Sequence, residues 1–295
     1  MPKYSTEDIR NITLVGHTGS GKTTLVESLL AKSGKMGEAG TIERGRTTTD
    51  HDPLEKEFQH SLDSAIASLD YDGIHVNLID TPGFPDFRGP TLTGMAATET
   101  TALIINAHNG IELSTRRLMR RAKRRRLCRL IIISKMDQPG VNLNKLVQDI
   151  RQEFGPECLP INLPAEGLST VRDCFFGTEG ETDVFSLSEA HEAIIDQVVE
   201  VNEDLMEKYL EGEELSRSEL HNAFEQALRE GHLVPICFTS AATGAGLGEF
   251  LKLCKNLLPN PAEGNPPLIF KGEGLDAKQV DVQPDPNGHV IAHVF

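Results

Sequence analysis

The chain has 295 residues, 38% of them hydrophobic, and a formal net charge of −15. It can therefore bury a globular core, and it is too acidic to coat nucleic acid over its whole surface. It has no run of about 18 apolar residues, and its opening MPKYSTEDIR lacks the apolar region of a secretory signal, so a cytoplasmic protein with no membrane segment is expected.

In chain order, NITLVG (11–16) reads as a short buried strand, and KTTLVESLLAK (22–32) follows with the helical spacing of Leu25, Leu29 and Leu30. SAIASLDY and GIHVNLID read as a strand pair turning at Asp72 and Gly73. TALIINA and RLIIIS are continuous apolar strands of the kind buried on both faces. Strands alternating with helices predict an α/β fold with right-handed crossovers and a mainly parallel sheet covered on both sides. Between these strands, RRLMRRAKRRRLCR (116–129) holds nine basic residues in fourteen. It is either a solvated helix face or a patch facing phosphates.

From about 155 to 230 the alternation breaks. Gly, Pro, Cys and Thr punctuate the chain and two acidic helical segments follow, which reads as an insertion. The α/β pattern resumes with HLVPICF (232–238) and a helix around LGEFLKLCKNLL, then closes at the linker PNPAEGNPP. The final GHVIAHVF reads as a strand. An edge segment with nothing to pair with is poorly stable, so a further domain is expected. Cys128, Cys158, Cys174, Cys237 and Cys254 show neither metal-ligand spacing nor a disulfide framework and read as isolated thiols.

GHTGSGKTT (16–24) satisfies the phosphate-loop pattern G-x-x-x-x-G-K-[ST] between a predicted strand and a predicted helix. Gly16, Gly19 and Gly21 let successive backbone N–H groups turn inward, and the helix N-terminus adds its positive dipole end. Lys22 reaches the outer phosphates and the Thr23 hydroxyl suits Mg²⁺, while His17, Thr18, Ser20 and Thr24 contribute as members of the loop. Asp80 ends a strand beside this loop, where a carboxylate suits Mg²⁺ directly or through water. In DTPGFPDF, Thr81 and Pro82 lead into Gly83, whose N–H can approach a terminal phosphate with no Cβ in the way.

SKMD (134–137) and TSAATGAG (239–246) follow two further strands and fall on the same rim. The Asp137 carboxylate can accept from guanine N1–H and the N2 amino group, a pair of donors adenine lacks, so GTP is favoured over ATP. Backbone N–H groups at Ser240, Ala241 and Ala242 can bind guanine O6, and the Lys135 stem can lie over the base, with Met136 a member of the same loop.

The order of these motifs resembles that of the translational GTPases. The stretches GSGKTTLVESLL, DTPGFPDF, SKMDQPGVNLNKL, DLMEKYLEGEELS and SAATGAGLGEFLKLCKNLLPNP resemble the G domain of elongation factor G and its paralogues, including an inserted subdomain. The resemblance implies a P-loop G domain over 1–262 with the insertion at about 155–230, and 263–295 as a linker and the first strand of a β-barrel domain. It also implies a monomer that uses GTP/GDP and Mg²⁺ on the ribosome.

Four departures stand out. Phe84 replaces the family's catalytic His, leaving Lys22 and Gly83 as the candidate catalytic groups. Ser134 replaces an Asn, which implies weaker nucleotide binding. The switch sequence FQHS makes Ser61 the counterpart of the Mg²⁺-binding Thr, joining Thr23 and Asp80 as metal candidates. Gly19 stands where an Asp is common. The first of these keeps open a second function: a GTP-dependent interaction module that does not hydrolyse.

Overall fold

The computed structural model describes residues 4–213, 215–265 and 269–280, so the expected strand GHVIAHVF lies outside the described residues. In chain order the elements are β1 (Ile9–Gly16), α1 (Lys22–Lys32), α2 (Pro53–Phe58), β2 (Ala65–Tyr71), β3 (Ile74–Asp80), α3 (Arg88–Gly94) and β4 (Thr100–Asn106). Next come α4 (Leu113–Arg124), β5 (Cys128–Ser134), α5 (Leu143–Phe154), β6 (Cys158–Pro160), β7 (Asn162–Ala165) and β8 (Thr170–Asp173). The described chain ends with α6 (Leu187–Val199), α7 (Glu203–Leu210), α8 (Arg217–Glu230), β9 (Val234–Phe238), α9 (Leu247–Asn256), β10 (Ile269–Lys271) and β11 (Lys278–Val280).

Seven strands form one sheet in the order β2-β3-β1-β4-β5-β9-β6, parallel except for β2. β4 and β5 are buried at every position, which accounts for their unbroken apolar sequences. The β2–β3 hairpin turns at Asp72 and Gly73, both with positive φ (42° and 92°), the geometry that twists two strands together through a two-residue loop.

Helices α4 and α5 bury one stripe each, at Thr115, Leu118, Met119 and Ala122 and at Leu143, Leu146, Val147 and Ile150. Both follow the i, i+3, i+4, i+7 spacing of an amphipathic helix. The arginines of α4 consequently point away from the sheet. The basic stretch does not end as helix, however: Arg129 lies in β5, buried, and donates from Nη2 to the Gly231 carbonyl at 3.0 Å.

Residues 158–160, inside the stretch read as inserted, sit on the central sheet as β6, parallel to β9. The added structure proper is the β7–β8 hairpin and the helices α6 to α8, with α8 packed on β5. Asn162 fastens it to the core. Its Oδ1 accepts from the Phe238 N–H at 2.7 Å, and its Nδ2 donates to the Phe238 carbonyl at 3.3 Å, all buried. Since Phe238 leads directly into TSAATGAG, this amide also sets the start of a predicted base loop. Asn162→Ala leaves both Phe238 backbone groups short of a buried partner and is expected to destabilise the fold by about 1–3 kcal/mol, measured by denaturant unfolding.

Candidate functional site

β1 stops at Gly16 and α1 starts at Lys22, and the turn between them uses left-handed backbone at Gly19 (φ 72°) and at the N-cap Gly21 (φ 93°). Only glycine adopts these angles freely, and they turn the loop around the N-terminus of α1. Lys22 is buried in the loop, where Nζ donates to the carbonyls of Gly16 (3.1 Å) and His17 (3.0 Å). Burial pushes its ammonium pKa down to about 8, against the attraction of Asp80 and Glu112. The His17 ring turns away, with Nδ1 2.9 Å from Ser114 Oγ and Nε2 3.3 Å from Glu112 Oε1, so this residue serves the loop through its backbone.

The end of β3 places Asp80 under the loop. Its Oδ2 accepts from Thr23 Oγ1 at 2.7 Å and from Thr49 Oγ1 at 3.0 Å. Burial raises the carboxyl pKa, opposed by the Thr23 hydroxyl and Lys22. Asp80 Oδ1 is buried with no hydrogen-bond partner, as is Ser20 Oγ in the phosphate loop. A buried, unpartnered carboxylate oxygen next to threonine hydroxyls is a hard-oxygen donor set, and it fits Mg²⁺. Thr81 is held by donation from Oγ1 to the Leu14 carbonyl at 2.7 Å, which carries the chain into Pro82 and Gly83. A Cβ at Gly83 would fall 2.5 Å from the Thr18 nitrogen and 2.7 Å from Lys22 Nζ, so no other residue lets the turn lie so close to the phosphate loop.

Thr18, Lys22, Thr23, Gly83, Asp50 and Ser61 are among the residues around a cavity of about 160 Å³. Ser61 thus lines this cavity, but its Oγ donates to Asp50 Oδ1 at 2.9 Å, and the hydroxyls on Asp80 are those of Thr23 and Thr49. Asp50, itself buried, also accepts from Thr47. Thr49 and Asp50 escaped the sequence reading. The signal was the run TTTD, three hydroxyls and a carboxylate inside a polar loop.

A second cavity, of about 170 Å³, shares Gly21, Thr24 and Lys135 with the first and continues to Asp137, Ala241 and Ala242. Lys135 has left-handed backbone (φ 56°), and its Nζ donates to the Gly19 carbonyl at 3.0 Å, so its stem arches from one cavity to the other. Met136 is fully buried beneath. Ser134 still ties its strand to the phosphate loop: Oγ donates to the Ser20 carbonyl at 2.6 Å, with the Ile105 carbonyl at 3.3 Å. The Ser240 N–H, in contrast, is taken by the Ala245 carbonyl at 2.9 Å, and Ser240 Oγ accepts from the Thr243 N–H. Ser240 therefore shapes the loop, and Ala241 and Ala242 are the residues of this loop's SAA stretch that line the second cavity.

On the far side of the switch turn, Pro82, Gly83 and Phe84 border a third cavity of about 560 Å³ walled by Arg88, Arg117, Arg120, Arg121 and Arg124. Phe84 offers no polar group, and its ring packs 4.5 Å from that of His60, centroid to centroid.

Residues 7–260 match the family model of the elongation factor Tu GTP binding domain. The chain belongs to this family of translational GTPases. It is 34% identical over 285 residues to an elongation factor G-like protein of Mycobacterium tuberculosis, with 90% of this chain and 39% of the relative covered. To an elongation factor G-like protein of Thermotoga maritima it is 30% identical, with 98% and 43% covered, and to the tetracycline resistance protein TetW of Butyrivibrio fibrisolvens 32%, with 92% and 41% covered. A crystal structure of a Thermus thermophilus protein superimposes with a TM-score of 0.79 at 34% identity, covering 87% of this chain and 41% of that one. The chain thus spans about two fifths of the length of these relatives.

A Lys22 ammonium that is to meet phosphate must be charged. Its folded pKa of about 8 lies below the ordinary lysine value of 10.5, so between those pH values the unfolded state holds more protons and this group makes the nucleotide-free fold more stable as pH rises. Nucleotide binding has the opposite trend. Above pH 8 it is expected to take up a proton and to weaken by at most about tenfold per pH unit. Calorimetric titration of GTP in buffers of different ionisation enthalpy measures that uptake.

Proposed function

We propose that this domain hydrolyses GTP in a Mg²⁺-dependent reaction and couples it to a step of translation on the ribosome, in the cytoplasm. The observation that carries the reading is the buried Asp80, with one oxygen on the Thr23 and Thr49 hydroxyls and the other unpartnered, directly under the phosphate loop. Thr23 and Asp80 would hold the ion, with Thr49 or Ser61 supplying a further hydroxyl. Bound there, Mg²⁺ would supply neutralisation of phosphate charge.

The chain's own groups carry the rest. Lys22 and the loop amides offset charge developing on the leaving diphosphate, and the Gly83 N–H faces the terminal phosphate. Asp137 selects guanine and the Lys135 stem covers the base. Partners follow from charge. The five arginines of the third cavity sit on a protein of net charge −15 with no acidic residue paired to them among the described residues. That suits a phosphate-rich surface such as ribosomal RNA.

Phe84 favours a second reading, a GTP-dependent interaction module without hydrolysis, because it contributes no hydrogen bond to water. Single-turnover hydrolysis by the protein, with and without ribosomes, separates the two: phosphate release above background is expected, and its absence under both conditions while GTP still binds leaves the module. Asp137→Asn is expected to shift preference from GTP to XTP in competition binding, since an amide donates to the xanthine C2 carbonyl. Ribosome association, if it uses the arginine wall, falls steeply between low and high salt in a sedimentation assay.

A further inference from the structure

The phosphate cavity has an imidazole in its wall. His60, the residue before Ser61, lines it together with Gly83, Lys22 and Thr18. The other imidazole near the loop, that of His17, is engaged at both nitrogens. Transfer of a phosphoryl group to water is catalysed chiefly by positioning, and a hydrogen-bond acceptor must aim the water at phosphorus. The remaining polar side chains on that wall suit the task poorly. Asp50 is occupied by the hydroxyls of Thr47 and Ser61, Glu43 carries charge of the same sign as the phosphates, and Gln59 is exposed.

We propose that His60 orients the attacking water in this domain and that Phe84 is part of the wall holding its ring. The inference rests on the hydrolytic reading above. Three aromatic rings surround the imidazole: Phe84 at 4.5 Å and 58°, Phe87 at 6.0 Å and 32°, and Phe58 at 6.1 Å and 27°. The backbone is fixed as well. The His60 N–H donates to the Glu55 carbonyl at 3.2 Å after Gln59 turns through left-handed backbone (φ 56°). The buried Glu55 carboxylate accepts from the N–H groups of Leu62 (2.9 Å) and Asp63 (3.3 Å) just beyond, and from that of Asp52 (3.0 Å) before α2. Burial works against that carboxylate, and these N–H groups more than offset it, so its pKa is lowered. A single side chain therefore staples both ends of the segment that carries His60.

The ring's Nδ1 lies 3.5 Å from the Ser61 carbonyl oxygen, an orientation that keeps the proton on Nδ1 and the lone pair on Nε2. In the step itself, water oxygen forms a bond to the γ-phosphorus while the bond from that phosphorus to the bridging oxygen breaks, its electron pair leaving with GDP. One water proton passes to a γ-phosphoryl oxygen, so GTP⁴⁻ and water give GDP³⁻ and H₂PO₄⁻. The imidazole accepts a hydrogen bond from the water and takes no proton in the step.

The test compares single-turnover hydrolysis, GTP affinity, and binding of GDP with aluminium fluoride and Mg²⁺ in the wild type, His60→Ala and His60→Gln. His60→Ala is expected to lose about 10²-fold in rate, as for loss of a positioned acceptor, with GTP affinity unchanged and fluoride-complex binding lost. His60→Gln, whose amide oxygen also accepts, recovers part of both. If the wild type hydrolyses GTP and His60→Ala keeps both its rate and fluoride-complex binding, His60 has no such role and the hydrolytic reading stands. A wild type that binds GTP without hydrolysing it under any condition overturns both.

Discussion

The arrangement depends on one buried carboxylate. Asp80 lies at the carboxyl end of β3, 1% exposed, in a place where an uncompensated charge costs several kcal/mol. Its partial compensation, by two threonine hydroxyls and the nearby Lys22, draws three separate segments together: the start of α1, the loop before α2 and the end of the sheet. The oxygen left over is what a cation would satisfy. The parallel order β3-β1-β4-β5-β9 then brings the phosphate loop, the turn after Asp80 and the loops at 134–137 and 239–246 to the same end of the sheet.

Gly83 stands at a boundary. It borders the phosphate cavity on one side and the arginine-walled cavity on the other, and its missing side chain lets the turn rest against Thr18 and Lys22. The aromatic that follows divides its contacts accordingly, with Phe84 facing the arginines and also packing on His60. A single turn is thus shared by the two cavities.

Much of this was legible in the sequence because it is local. The phosphate loop's glycines, the Asp72-Gly73 turn and the unbroken apolar runs of β4 and β5 each announce their conformation within a few residues. The rest was hidden because it depends on distant closure. Thr49 and Asp50 lie in a polar loop without periodicity, and only folding brings Thr49 to Asp80, 31 residues away. The Ser240 amide looks available until the loop folds back and Ala245 takes it. The link from Asn162 to Phe238, across 76 residues, leaves no local mark, and neither does the three-residue strand β6, which is shorter than any pattern could reveal.

On the proposed function, Asp80 holds the metal through which phosphate is bound. The most direct measurement is GTP affinity with Mg²⁺ and with a chelator, in the wild type and in Asp80→Asn. The account predicts that Mg²⁺ tightens binding to the wild type and has little effect on the variant. An equal response to Mg²⁺ in both proteins would contradict it.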